Sequence, residues 1–188
     1  MPDSESVERT DTRELKEIIK EFLNHLDFAY NYRLQKLVYY GEIWCLQTYG
    51  RRLTDATFKA HHYGSFSDDI ADALEEMRND EEVEYETVVK PDGPTYEYSH
   101  HEDGGELSPG KKEIIEHIHN ETNTMSTEDL AKFSKQTWLY QNTDEAESMD
   151  FEYYRDEVVI PQSERERVAE RDGCRAESDA DLREALAK

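Results

Sequence analysis

The sequence predicts a mainly α protein with one small β-hairpin (α+β): a single compact helical domain followed by a polar tail. Three observations carry this. Apolar residues recur at helical spacing in several separate segments. One segment alternates with a period of two on either side of Pro91-Asp92-Gly93-Pro94. Beyond Pro161 the apolar residues thin to a few, such as Val168, Leu182 and Leu186, too sparse for a core. The chain has 188 residues, enough for one domain that buries its own core without staples. The expected organisation is a flexible N-terminus over 1–10, a domain over 11–160 and an acidic polar tail over 161–188.

The elements follow in order. Leu15, Ile18, Ile19, Phe22, Leu23 and Leu26 mark an amphipathic helix, with Asp11 and Glu14 spaced as a capping box at its start. A second helix runs from about Tyr32 to Tyr49, with Leu34, Leu37, Val38, Gly41, Cys45 and Thr48 on one stripe. Gly41 leaves room for another backbone to cross, and Gly50 suits a left-handed cap. Arg51 and Arg52 follow at the negative end of the helix dipole. Thr57–Tyr63 reads as an extended link with Phe58 and Ala60 on one side. Ser67 caps a third helix whose apolar face is Ile70, Ala73, Leu74 and Met77. Val83, Tyr85, Thr87 and Val89 alternate with Glu84, Glu86, Val88 and Lys90, and Tyr96 and Tyr98 mark the returning strand of the hairpin. His100–Glu106 reads as a polar loop. Leu107, Ser108 and Pro109 are a staple, a cap and a first-turn proline for a fourth helix carrying Ile114, Ile115 and Ile118. Ser126 and Asp129 open a fifth, short helix with Leu130 and Phe133. Trp138 and Tyr140 are placed in a loop, and the aromatic segment Met149–Tyr154 is expected to pack back on the body.

Charge narrows the function classes. Lys and Arg number 22 against 45 Asp and Glu, a net charge of −23. A general nucleic-acid binder needs a cationic footprint, so that class is excluded, and docking on anionic lipid is disfavoured. No apolar run approaches the ~20 residues of a membrane span, and Met1 opens no signal peptide. Cys45 and Cys174 stand far apart in unlike contexts, which argues against a disulfide scaffold. The chain reads as cytosolic. Carboxylates spread over the whole length, with 12 tyrosines in a folded body, resemble the proteome of salt-loving archaea, where salt screens self-repulsion. An acidic decoy that imitates nucleic acid is the sharper alternative. One stretch departs from the rest: His25–Ser67 holds five bases and three acids, whereas Asp68–Glu86 holds ten acids and only Arg78.

Catalytic signals are sparse. There is no phosphate loop, dinucleotide motif, nucleophile elbow or metalloprotease helix. The doublets His61-His62 and His100-His101 place adjacent side chains on opposite faces, and His117 and His119 lie on different faces of a helix, so no metal site and no cofactor are expected. Cys45 on an apolar stripe reads as a small packed hydrophobe. Tyr30, Tyr32, Tyr39 and Tyr40 serve equally as core packing or as an interface patch.

The order of Arg33-Leu-Gln-Lys-Leu-Val-Tyr-Tyr40, Gly50, Phe58-Lys-Ala60, Tyr63-Gly64 and a helix with Ile70 and Leu74 resembles the SocA-like antitoxin family, or Panacea domain. Leu107-Ser108, then Ser126, Leu130, Ser134 and Trp138, resemble its C-terminal half. The resemblance spans about Glu14 to Tyr154. It implies a mainly helical domain with a small hairpin and an antitoxin, often prophage-associated, that binds a co-encoded toxin directly. For some members it implies a protease partner served as an adaptor. It implies no enzyme and carries over no catalytic residue. Two positions depart from the family: Ser65 stands where proline usually follows Tyr-Gly, and Lys135 stands where histidine often follows Ser134.

The expected function is therefore a non-enzymatic antitoxin, with a His-dependent enzyme or nuclease-associated factor using His61, His62 or His117 as the alternative from another class. The expected protein-binding residues are Arg33, Lys36, Tyr39, Tyr40 and Trp44, with Tyr63 and Gly64 beside them. Residues three and four apart share a helix face, so Lys36, Tyr39 and Tyr40 are expected to form one cationic, aromatic surface patch. The oligomeric state is left open by the sequence.

Overall fold

A computed structural model describes residues 12–102 and 106–160. The expected Asp11 cap, the segments 1–10 and 161–188, and part of the loop after His100 lie outside the described residues. Among the described residues seven α-helices and five strands follow in the order α1 (Thr12–Asn24), β1 (Ala29–Tyr30), α2 (Asn31–Tyr49), β2 (Lys59–His61), β3 (Gly64–Phe66), α3 (Asp68–Asn79), β4 (Glu84–Lys90), β5 (Gly93–Ser99), α4 (Pro109–Thr122), α5 (Thr127–Gln136), α6 (Trp138–Gln141) and α7 (Phe151–Tyr154). The expected mainly α fold with a small antiparallel sheet is what the chain adopts.

Helix α2 (Asn31–Tyr49) is the central element, because apolar or small residues occupy most of its circumference. A helix buried all round must be wrapped by its neighbours. Here α1 (Thr12–Asn24), α3 (Asp68–Asn79), α4 (Pro109–Thr122) and α5 (Thr127–Gln136) all pack against it. The faces they turn inward are the stripes read from the sequence: Leu15, Ile18, Ile19, Phe22 and Leu23 from α1, and Ile70, Ala73, Leu74 and Met77 from α3. Ile115 and Ile118 come from α4 and Leu130 from α5.

The helix ends obey local chemistry. Gly50 adopts φ +67 and its N–H donates to the Leu46 carbonyl, closing α2. The Ser67 hydroxyl accepts from the Ile70 N–H at 3.4 Å, the Ser108 hydroxyl from the Lys111 N–H at 3.4 Å, and Ser126 forms a reciprocal box with Asp129. At Gly41 the expectation of a crossing backbone is corrected. An added Cβ would stand 2.7 Å from Leu53 Cδ2 and 3.0 Å from Ile118 Cδ1, so two side chains fill that groove.

Three features were not visible in the sequence. The link at Thr57–Tyr63 contains β2 (Lys59–His61), which pairs antiparallel with β3 (Gly64–Phe66) in a second tiny hairpin. Its free side is covered by residues 145–149: Ala146 N–H donates to the Ala60 carbonyl at 2.7 Å and Met149 N–H to the Phe58 carbonyl at 2.8 Å. Strand β1 (Ala29–Tyr30) joins the main hairpin, which runs as β4 (Glu84–Lys90) and β5 (Gly93–Ser99), in the order β1-β5-β4. Trp138 and Tyr140 sit on a short helix, α6 (Trp138–Gln141), rather than in a loop; Thr137 caps it.

Met149, Phe151 and Tyr154 do pack back on the body, with α7 (Phe151–Tyr154) leading into a π-helical turn at Arg155–Val159. The alternation in β4 does not bury one face. Val83, just before the strand, is buried, whereas Val89 is 83% exposed.

Candidate functional site

The charge-poor stretch converges on the β2–β3 turn. Residues 57–67 contain no carboxylate, and the turn presents His61, His62 and Tyr63, all exposed. Tyr63 is 62% exposed, and the Tyr32 hydroxyl from α2 donates to its carbonyl at 2.9 Å. The Tyr140 hydroxyl donates to the His61 carbonyl at 2.7 Å from the other side. The turn is thus fixed by two phenols, one from each flanking helix.

Beneath it lies Lys36, 1% exposed. Its Nζ donates to the Ser65 carbonyl and stands 4.8 Å from the centre of the Tyr32 ring. Among the described residues no ion pair joins it to a carboxylate. Burial, with Lys135 nearby, pushes its ammonium down to about 8. Gly64 makes this approach possible. It has φ +101, and a Cβ there would overlap the Ser134 hydroxyl and stand 3.2 Å from Lys36 Nζ. The Ser134 hydroxyl accepts from the Ser65 N–H at 3.2 Å and donates to the Ala131 carbonyl at 2.9 Å, tying β3 to α5. The Ser65 hydroxyl is buried without a hydrogen-bond partner.

Neighbouring α2 side chains lock the same junction. Gln35, fully buried, accepts from the Ser67 N–H and donates to the Ser67 carbonyl, both at 2.8 Å. Arg33 donates to the Met125 carbonyl at 3.1 Å and to Thr127 Oγ1 at 3.3 Å, bracing the α4–α5 connection. Burial lowers its guanidinium below the ordinary value.

The single surface patch expected from α2 does not form. Lys36 and Tyr39 point inward: Tyr39 is fully buried, in ring contact with Phe58 at 5.3 Å, and shares a 2.7 Å hydrogen bond with Thr137. Tyr40 and Trp44 are half-buried, Tyr40 against Phe133 at 4.7 Å and Trp44 against His117 at 4.6 Å. A helix wrapped by four neighbours has scarcely any free face, so residues grouped by helical spacing enter different interfaces. Of the seven expected residues, Lys36, Tyr63 and Gly64 meet at the turn. Arg33 and Tyr40 lie toward α5, Trp44 lies toward α4, and Tyr39 lies in the core.

Residues to which the sequence reading gave no role complete the site. Ser65, Ser134 and Gln35 are small or neutral polar groups whose partners lie far away in the chain, and spacing gives no sign of them. Glu42 is another. It is fully buried and accepts from the Leu53 N–H at 2.9 Å, the Thr54 N–H at 3.0 Å, the Thr54 hydroxyl and Arg52. Burial pushes its carboxyl upward, while Arg52 and the donors pull it back.

Lys36 and Cys45, two side chains with nucleophilic groups, are both buried. Lys36 is sealed from solvent. The Cys45 thiol is buried and pushed up to about 12, so it is not a thiolate at neutral pH. His117 packs on Trp44, away from His61 and His62 at the turn. Among the described residues no group of three His, Cys, Asp or Glu side chains is placed to hold a metal, and no helix is long and apolar enough to cross a membrane.

No curated protein and no solved structure matches the chain. A family model described as "Antitoxin SocA-like, Panacea domain" matches residues 34–139. That span begins with the buried run of α2, contains the β2–β3 turn and its Lys36 anchor, and ends on α6. The chain therefore belongs to the SocA-like antitoxin family and carries its Panacea domain.

Proposed function

We propose that the protein is a non-enzymatic antitoxin that neutralises a co-encoded toxin by binding it, with the contact centred on Tyr63 at the β2–β3 turn. Family membership supplies the toxin–antitoxin role. The observation that supports the place is the exposed His61-His62-Tyr63 turn, free of carboxylates, in a chain of net charge −23. Interface centres are depleted in charge and rich in Tyr and Trp. Lys36, Gly64 and Ser134 act from below as positioning residues, because they fix the turn without reaching solvent. Arg33 and Tyr40, which face α5, and Trp44, which faces α4, lie outside this centre.

The acidic composition supports a salt-adapted source, and a cytosolic setting is part of the proposal. A prophage origin and delivery of the toxin to a protease are further properties proposed from the family.

The test is co-expression with the adjacent gene. That gene expressed alone should arrest growth, and this chain should restore it. Tyr63→Ala, at an exposed position, should leave folding intact and weaken rescue by about tenfold or more, the scale of an aromatic hot spot. A harmless neighbour, or rescue by neither chain, removes the antitoxin reading. Full rescue by Tyr63→Ala removes only the placement.

A further inference from the structure

The outer edge of β4 is an open strand. In the sheet order β1-β5-β4 it pairs only with β5, and among the described residues no other strand covers its far side. Which backbone groups it leaves free follows from the register. Val89 lies opposite Pro94, which has no N–H, so that pair cannot exchange two hydrogen bonds. The exchanging pairs are therefore Lys90–Gly93, Val88–Thr95, Glu86–Glu97 and Glu84–Ser99. Tyr85, Thr87 and Val89 between them turn their N–H and C=O groups outward. Their side chains also share one face of the sheet. Two are large apolar groups left in water, Tyr85 at 48% and Val89 at 83% exposure. An exposed edge of this kind is a template for another strand.

We propose that the occupant is β4 of a second copy of this chain, antiparallel about a two-fold axis at Thr87, joining the two three-stranded sheets into one. The segment Glu84-Tyr85-Glu86-Thr87-Val88-Val89-Lys90 is complementary to its own reverse. About that axis Tyr85 meets Val89 of the other copy, Thr87 meets Thr87, and Glu84 meets Lys90. These are an aromatic–β-branched pair, a Thr–Thr pair and an opposite-charge pair, the three kinds that stabilise neighbouring strands. All three outward-facing residues are satisfied at once, giving about six backbone hydrogen bonds.

Other registers are worse. A slip of two residues one way sets Glu86 against its own copy. A slip the other way sets Pro91 opposite Tyr85, where an N–H is needed. By contrast the β2–β3 sheet offers no such edge on β2, because residues 145–149 already occupy it. The net charge of −23 opposes association of two copies, so added salt should strengthen the dimer.

The experiment is the mass of the full chain in solution, by sedimentation at roughly 100 μM in about 1 M KCl, above the micromolar dissociation constants of small interfaces. The expected mass is twice 22.1 kDa, falling on dilution. Thr87→Pro removes an N–H that points away from β5, so the hairpin keeps its own ladder. This variant should be monomeric with an unchanged circular dichroism spectrum. If it fails to fold, Thr87→Cys in a Cys174→Ser background gives the answer, because a hydrogen-bonded pair holds its Cα atoms about 5.5 Å apart, within disulfide reach. It should cross-link readily to a covalent dimer. At about 0.15 M salt, Glu84→Lys and Lys90→Glu should each weaken the dimer by roughly tenfold, and their equimolar mixture should restore it. A wild-type monomer, a Thr87→Pro dimer of unaltered affinity, failure of the Thr87→Cys variant to cross-link, or a mixture no tighter than its components would overturn the proposal.

Discussion

At Lys36 the chain buries an ammonium against a carbonyl and an aromatic ring, with no carboxylate joined to it among the described residues. The cost of holding a charge there appears as a pKa lowered from 10.5 to about 8. Between those two values the unfolded chain binds more protons than the folded one. The penalty is therefore complete below pH 8, and stability recovers as pH rises toward 10.5. A shift of this size corresponds to up to about 3 kcal/mol. Lys36→Met keeps the length and removes the charge, losing the hydrogen bond to Ser65. It should lie within roughly 1 kcal/mol of wild type at pH 7 and lose up to about 3 kcal/mol relative to it by about pH 10.5. Urea midpoints of the two proteins across that range measure the difference; parallel profiles would refute the assignment. Glu42 gives the opposite case, a buried carboxylate with every oxygen engaged. Glu42→Ala strands Arg52 and two backbone N–H groups and should cost about 3–5 kcal/mol, read as a fall of roughly 10 °C in Tm. Neither role was legible in the sequence, where Lys36 read as a surface cation and Glu42 as one acid among many. Side-chain charge says what burial would cost, but not whether a fold will bury it.

At the scale of elements, helices were more legible than strands. A helix closes its hydrogen bonds within its own segment, so Ser67, Ser108, Ser126 and Gly50 mark boundaries using residues a few positions apart. The β4–β5 hairpin was legible for the same reason, its two strands joined by a tight turn at Pro91-Asp92. Strands β1, β2 and β3, two or three residues long, depend on distant partners such as Tyr98 and residues 145–149. Too short to show alternation, they were missed. Tyr63-Gly64 stood out in the sequence, but the reason for the glycine came from α5 packed behind it. Gly64→Ala adds strain at φ +101 and a collision with Ser134. It should destabilise by about 2–4 kcal/mol and loosen the turn that Lys36 holds. Faster amide exchange at residues 63–66, alongside a lower Tm, is the expected signature; a variant as stable as wild type would show that the turn can relax at no cost.

Across the whole molecule the governing quantity is charge. The helical core is ordinary, yet it carries a net charge of −23 on a single chain. Ten acids crowd residues 68–86, and ion pairs such as those of Lys16 and Lys20 with Glu82 neutralise only some of them. Repulsion of this kind acts over the screening length, about 10 Å at 0.1 M salt and about 3 Å at 1 M. The melting temperature should therefore climb with KCl over that interval, by several degrees, as measured by circular dichroism. Equal midpoints would mean that the acids are already balanced locally.

By itself the sequence determined the five longer helices, the caps at Gly50, Ser67, Ser108 and Ser126, the main hairpin, the acidic composition and the family, because each is written in short-range spacing or composition. Only the tertiary structure decided which face of α2 is free, and the answer is scarcely any. Helical periodicity groups Lys36, Tyr39 and Tyr40 on one side of a cylinder, but it cannot count how many neighbours will surround that cylinder. With α1, α3, α4 and α5 all packed on α2, the residues expected at the surface became the supports beneath it. The exposed position passed to Tyr63, on a turn whose strands exist only through their partners.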